Sequence, residues 1–141
     1  MAYADTSVLV SYYCSEPLTH AVQTALRSAP RLVISRLSEV EFASALSLKV
    51  RSHQLPAVAA HSVWELFERH IREDYYRRAE LEDEDFDAAQ RWVATFTTPL
   101  RALDALHLAV AQRTQEELLT TDKLFAEAAE TLSIRHRLIH G

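Results

Sequence analysis

The sequence predicts an α/β fold in which a parallel sheet of about five strands is sandwiched between helices. Short apolar stretches alternate with segments of helical periodicity along the chain. The apolar stretches show no clean alternation of apolar and polar residues, which is typical of strands covered on both faces, as in a parallel sheet. Because 141 residues fit one hydrophobic core, we expect residues 1–141 to form a single domain.

Short runs of apolar residues predict the strands. In chain order, the predicted strands are Ala2–Ala4, Leu32–Ser35, a weaker stretch near Ala79–Leu81, Leu118–Thr120 and Ile134–Ile139. Each is short and mostly apolar, so we expect right-handed crossovers through helices to join them.

Apolar residues at helical spacing predict the elements between the strands. The predicted helices are Ser7–Tyr13, Leu18–Ser28, Leu37–Arg51, a long helix after Pro56, Asp85–Phe96, Arg101–Arg113 and Leu124–Leu132. Pro17 is well placed for a helix start, and Pro56 and Pro99 interrupt the helical pattern. The single glycine is Gly141, so we expect no loop to depend on glycine geometry.

The composition excludes several kinds of site. Without internal glycine there is no Walker A loop, dinucleotide fingerprint or G-x-S-x-G elbow, and without asparagine there is no Cys-His-Asn triad. Cys14 is the only cysteine, which excludes an internal disulfide and favours a reducing compartment. The chain shows neither a basic leader nor an uncharged stretch of about 18 residues, so we expect a cytoplasmic protein without membrane contact.

The charge is unevenly distributed. The chain carries 15 basic and 20 acidic residues, and six of the acids lie within Glu80–Asp87. This run predicts a solvated helix start, where carboxylates complement the helix dipole. Thirteen of the basic residues are arginines, which suit forked contacts to phosphate and leave an anionic polymer open as a partner. Among them, Arg36 and Arg101 precede helices that carry acids and are candidates to anchor phosphates.

Asp5 and Asp122 each follow a predicted strand and precede a predicted helix. Such a residue is a favoured helix N-cap. It also lies where α/β sheets build their sites, because the carboxyl ends of parallel strands share one edge. The sequence leaves both interpretations open.

Asp104 and Glu41 lie within helical segments that are mostly apolar. Only two of the ten residues Ala102–Ala111 are polar, and burying an unpaired carboxylate costs several kcal/mol. A pair with His107, one turn away, and a bound cation are the two explanations for Asp104. Glu41 shares a helix face with apolar residues that include Val40 and Leu48, and a partly exposed helix acid is the alternative.

Taken together, the four acids predict a metal site. Clustered carboxylates repel each other, and hard divalent cations such as Mg²⁺ or Mn²⁺ relieve that repulsion. Such a site supports phosphoryl transfer to water.

Four segments resemble the signature blocks of PIN-domain ribonucleases, and VapC-type toxins of type II toxin–antitoxin systems above all. The segments are Asp5–Val10 (DTSVLV), Ser38–Leu46 (SEVEFASAL), Leu103–Ala109 (LDALHLA) and Thr120–Asp122 (TTD). They come in the family's order and extend over nearly the whole chain.

The resemblance implies a PIN-like fold and an endoribonuclease toxin dependent on Mg²⁺ or Mn²⁺. It implies hydrolysis of RNA phosphodiester bonds by metal-activated water, on RNA such as transfer RNA, with inhibition of translation and growth. It also implies a homodimer and a cognate VapB-type antitoxin that blocks the site. Carried onto this sequence, the catalytic and metal-binding residues are Asp5, Glu41, Asp104 and Asp122, with Thr6 and Thr120 as supporting hydroxyls.

Three other functions stay open at this point. The first is a catalytically silent interaction module. The second is a metal-dependent phosphatase or phosphotransferase with a covalent aspartate, although Asp5-Thr6-Ser7 lacks the aspartate two residues on that such sites use. The third is a transition-metal site on Asp104 and His107 or on His136 and His140; no second matching pair accompanies the first for a di-iron bundle.

Overall fold

The computed structural model describes residues 1–29 and 31–141. Five parallel strands form one sheet in the order β3-β2-β1-β4-β5. The strands are β1 Ala2–Ala4, β2 Leu32–Ser35, β3 Tyr76–Ala79, β4 Glu117–Thr120 and β5 His136–Leu138. The predicted α/β fold with a five-stranded parallel sheet is confirmed.

The two edge strands differ most from the sequence prediction. The third strand spans Tyr76–Ala79 and shares only Ala79 with the stretch predicted near Ala79–Leu81. Arg77 and Arg78 lie exposed in it, so this edge strand lacks the apolar run by which buried strands are recognised. The last strand is shorter than the predicted Ile134–Ile139 at both ends, and at its start the Ile134 amide bonds back to the preceding helix.

Among the residues that the structure describes, seven helices cover the two faces of the sheet. They are α1 Thr6–Tyr13, α2 Thr19–Arg27, α3 Arg36–Arg51, α4 Ala57–Arg72, α5 Asp83–Val93, α6 Ala102–Arg113 and α7 Lys123–Thr131. Helices α1 to α4 pack on one face and α5 to α7 on the other. No helix in the described part of the chain is long and apolar enough to cross a membrane.

Alternate strand residues enter different cores. Ala4, Ile34 and Leu119 pack with α1 to α4, whereas Tyr3 and Leu118 pack with α5 to α7. Because successive strand side chains point to opposite faces, both sets must be apolar, which produces the continuous apolar runs seen in the sequence.

The chain order of the strands reverses at β1. Strands β2 and β3 lie on one side of β1, and β4 and β5 lie on the other. The helices that follow β1 and β4 therefore leave the sheet in opposite directions, which opens a crevice at the carboxyl ends of these two strands.

Helix ends use left-handed backbone without glycine. His53, Asp74, Phe96, Gln115 and Ser133 have φ between 57° and 60°, and each lies just beyond the end of a helix. The chain thus needs the geometry that glycine favours and obtains it with residues that carry a side chain. Helix α5 ends at Val93 rather than at the predicted Phe96 because of one such turn.

Candidate active site at the carboxyl edge of the sheet

Asp5 is buried at the end of β1, with 4% of its surface exposed. Its Oδ1 accepts hydrogen bonds from Ser7 Oγ at 2.5 Å and from the Val8 amide at 3.1 Å, and its Oδ2 accepts one from Thr120 Oγ1 at 2.6 Å. Burial raises the pKa of Asp5 above its ordinary value although these donors favour the carboxylate. The bond from the Val8 amide makes Asp5 the N-cap of α1.

Asp122 lies at the end of the adjacent strand and is tied to Asp5 through Thr120. Thr120 Oγ1 donates to Asp5 and accepts from the Asp122 amide at 3.0 Å. Asp122 also caps α7, because its Oδ1 accepts from the Phe125 amide at 3.2 Å. Both strand-end acids are therefore helix caps, and Thr120 links them at the carboxyl edge of the sheet.

Glu41 reaches the same edge from α3. Its Oε1 accepts a hydrogen bond from Thr6 Oγ1 at 2.8 Å and another from His107 Nε2. Partial burial raises the pKa of Glu41, but the bonds from His107 and Thr6 outweigh it, and the pKa lies below its ordinary value.

The sequence argument for Glu41 rested on a wrong premise about its helix face. Val40 and Leu48, taken as apolar neighbours on a buried face, are 69% and 57% exposed. The buried side of α3 consists of Ser38, Phe42 and Leu46. Glu41 is partly buried because its carboxylate meets α1 and α6.

Asp104 lies in the first turn of α6, and its side chain is 24% exposed. Burial raises the pKa of Asp104 above its ordinary value. The charge of Arg101 lowers it, and repulsion from Asp122 and Glu41 raises it further, so the pKa stays raised. Arg101 Nε lies 3.8 Å from Asp104 Oδ2. The pair with His107, one of the two explanations that the sequence left open for Asp104, does not form, because the imidazole bonds Glu41 and Tyr3.

Asp104 and Asp122 line one cavity of about 340 Å³, together with Arg101 and the exposed Leu124. Asp122 and Glu41 lie close enough to Asp104 for their charges to raise its pKa. Thr120 hydrogen-bonds both Asp5 and the Asp122 amide. The structure therefore links Asp5 to Asp122 through Thr120 and places Asp104 and Asp122 in one cavity. Glu41 lies beside them, against Thr6 and His107.

The donors suit a hard divalent cation. All four are carboxylates, and within the described residues Asp5 Oδ2 accepts one hydrogen bond, so its second lone pair has no protein donor. Within residues 1–29 and 31–141, no three His, Cys, Asp or Glu side chains are already grouped as around a bound metal.

Sequence reasoning missed one polar partner of these acids and two polar residues that connect to His107 by hydrogen bonds. Ser7 hydrogen-bonds Asp5. Tyr3 hydrogen-bonds His107, and Ser35 hydrogen-bonds Tyr3. Ser7 lies two residues after a strand-end acid, a spacing that offered a signal. Tyr3 fits the pattern of an apolar strand residue, and nothing nearby in the sequence indicates that its hydroxyl has a hydrogen-bonding partner.

The acidic run is not simply a solvated helix start. Asp85 is 1% exposed, and its carboxylate bonds Arg113 Nε at 2.9 Å and Nη2 at 3.0 Å. Arg113 is the last residue of α6 and Asp104 lies in its first turn, so these two backbone positions lie about 13 Å apart along the helix. The run joins α5 to α6 at the end of α6 away from Asp104.

Residues 2–131 match the family model of the PIN domain. No curated protein sequence gives a significant match.

Solved structures of toxin–antitoxin proteins share the fold. VapC20 of Mycobacterium tuberculosis, described as a sarcin-ricin loop cleaving toxin, is 17% identical with a TM-score of 0.71, over 91% of this chain and 95% of that one. FitAcB of Neisseria gonorrhoeae is 17% identical with a TM-score of 0.74, over 96% of each chain. VapBC2 of Rickettsia felis, bound to a promoter DNA fragment, is 13% identical with a TM-score of 0.71, over 99% and 100%.

Proposed function

Since the chain belongs to the PIN domain family, we propose that residues 1–141 act as a single PIN domain with metal-dependent endoribonuclease activity. In this proposal the protein is the toxin of a toxin–antitoxin pair. It hydrolyses phosphodiester bonds in RNA, such as transfer RNA, and thereby inhibits translation and growth in the cytoplasm.

The observation that carries the proposal is the convergence of four acids from four separate segments. They lie at the reversal point of the sheet, where burial chiefly raises the pKa of Asp104 and repulsion from Asp122 and Glu41 adds to it. A fold retains such a repulsive group where a function needs it, because apolar or uncharged residues would be more stable there.

Asp5, Glu41, Asp104 and Asp122 would hold Mg²⁺ or Mn²⁺. When bound, the cation would make a water molecule more acidic and offset the charge of a phosphodiester. Asp5 is fixed by Ser7 and Thr120, and Thr6 helps to fix Glu41, so these hydroxyls orient the acids. Arg101, 83% exposed beside Asp104, is positioned to bind a substrate phosphate.

A VapB-type antitoxin and a second copy of the chain are the proposed protein partners. The support for an antitoxin is the fold shared with proteins solved as VapBC and FitAB complexes. A small basic protein encoded next to this one would support it further.

The proposal is tested by RNA cleavage with Mn²⁺ as the added metal. Asp5→Asn and Asp104→Asn are expected to lose about 100-fold in rate, since each removes one of the charged ligands. Asp87→Asn serves as the matched control, because Asp87 is an exposed acid of the run on α5. Full activity in folded Asp5→Asn protein would contradict the proposal, and tight partner binding without cleavage would favour the silent interaction module.

The substrate is identified by sequencing RNA ends after brief induced expression. New 5′ ends should appear with the wild-type chain and be absent with Asp5→Asn. Trapping of an acyl-phosphate on Asp5 would instead favour a phosphotransferase.

A further inference from the structure

His107 is a polar side chain in the middle of the apolar helix α6. It is 1% exposed, and both ring nitrogens have hydrogen-bonding partners. A buried imidazole without such partners would destabilise the fold, so its contacts explain how the core tolerates it. They do not explain why the core contains it, since an apolar residue would fill the same space.

The contacts of His107 form a continuous chain that ends at the candidate site. Ser35 Oγ lies 2.9 Å from the Tyr3 hydroxyl, and the Tyr3 hydroxyl lies 2.6 Å from His107 Nδ1. On the other side of the ring, Nε2 contacts Glu41 Oε1. An ionised carboxylate oxygen only accepts, so Nε2 is the donor in this contact.

The two oxygens of Glu41 are in different situations. Oε1 accepts from both His107 Nε2 and Thr6 Oγ1, which satisfies its lone pairs. Oε2 has no hydrogen bond within the described part of the chain, and no buried side-chain polar atom there lacks a partner. Oε2 is therefore open to solvent, and the protein holds the carboxylate by one oxygen while leaving the other free.

We propose that His107 is a positioning residue that acts through Glu41: together with Tyr3 it fixes the carboxylate so that Oε2 is presented to the divalent cation. This inference rests on the proposed function, because it assumes that the four acids hold a cation. Outer partners that orient a ligand typically change metal affinity by about 10–100-fold when they are removed.

The test measures Mn²⁺ affinity from the electron paramagnetic resonance signal of the free ion. His107→Leu removes the donor and is expected to weaken Mn²⁺ binding by about 10–100-fold. His107→Gln carries an amide nitrogen that reaches the position of Nε2, so it is expected to restore affinity to within a few-fold of wild type. Tyr3→Phe keeps the ring in the core and is expected to weaken binding in the same direction by less.

His70 offers a matched control. It is also largely buried, and its Nδ1 lies 2.6 Å from the Tyr13 hydroxyl, but none of its hydrogen bonds reaches a site acid. His70→Leu should lower the melting temperature and leave Mn²⁺ affinity unchanged. Thermal unfolding of the metal-free variants, followed by circular dichroism, shows at which temperature every variant is folded. Mn²⁺ binding is measured at that temperature.

A double substitution separates a positioning role from a purely structural one. In the Glu41→Gln background, His107→Leu should cause no further loss of Mn²⁺ affinity, since the residue it positions is already altered. Additive losses, or a His107→Leu protein that melts earlier but binds Mn²⁺ like wild type, would overturn this inference alone. A wild-type chain that binds no Mn²⁺ would overturn the proposed function and this inference with it.

Discussion

Thr120 Oγ1 donates a 2.6 Å hydrogen bond to Asp5 Oδ2, and so joins the last residue of β4 to the acid that ends β1. The same oxygen accepts from the amide of Asp122 at 3.0 Å. One buried hydroxyl therefore sets the relative position of two acids that come from opposite ends of the chain.

Thr120→Val should lower the free energy of unfolding by about 1–3 kcal/mol, because the buried Asp5 carboxylate and the Asp122 amide each lose a partner. Thr120→Ser keeps the hydroxyl and should lose less. Urea unfolding in EDTA measures the difference between the two variants. Equal stability of wild type and Thr120→Val would show that water replaces the hydroxyl.

Asp104→Asn should stabilise the metal-free protein at pH 7. The pKa of Asp104 is raised in the folded state, so its contribution is most favourable below the ordinary value of 3.8 and is lost as pH rises through the folded pKa. We expect a rise of roughly 2–4 °C in melting temperature at pH 7, corresponding to about 1 kcal/mol. The difference should vanish in acid, and saturating Mn²⁺ should reverse it. A lower melting temperature for Asp104→Asn in EDTA at pH 7 would contradict this account.

Glu41→Gln should have the opposite effect. The pKa of Glu41 is lowered in the folded state, so its charge stabilises the fold above the ordinary value of 4.5, and this contribution is lost as pH falls through the folded pKa. We expect a loss of roughly 1–3 kcal/mol at pH 7, since hydrogen bonds to a charged group are involved. Melts in EDTA at several pH values should bring the two proteins together below pH 4.5. A constant difference at all pH values would assign the effect to packing rather than to charge.

Arg113→Ala should destabilise the chain by about 3 kcal/mol or more, because it leaves the buried Asp85 carboxylate without its cation. Arg91→Ala, at an exposed arginine of α5, is the control and should change stability little. Urea unfolding measures both. Below its unfolding temperature, the Arg113→Ala protein should retain its RNA cleavage rate, because Arg113 lies at the end of α6 away from Asp104. A loss of cleavage in the folded variant would show that the α5–α6 junction acts on the site.

His53→Gly should stabilise the chain by roughly 0.5–1 kcal/mol. His53 is exposed and has a φ of 60°. At the end of α3, the His53 amide donates to the Val50 carbonyl and the Gln54 amide donates to the Lys49 carbonyl. Glycine removes the clash of a side chain in this left-handed backbone, and its greater freedom in the unfolded chain offsets part of the gain. Thermal melts check the sign. Gln54→Gly, at a position with ordinary backbone, should give no gain.

The central strands and the strand-end acids could be predicted because their signals are local. A strand covered on both faces must be apolar along its length, and an acid at its end is visible as a break in that run. The edge strand β3 gave no such signal, since Arg77 and Arg78 face solvent. Asp85 was assigned to a solvated face because nothing nearby in sequence reveals that Arg113 lies against it.

The sequence by itself determined the α/β architecture and the four acids worth testing. Only the tertiary structure decided the partners of Asp5 and Glu41, which are Thr120 and His107. The physical reason is one of range. Apolar periodicity and helix capping depend on residues a few positions apart, whereas the hydrogen bonds that orient Asp5 and Glu41 join residues 115 and 66 positions apart and exist only once the sheet has brought their segments together.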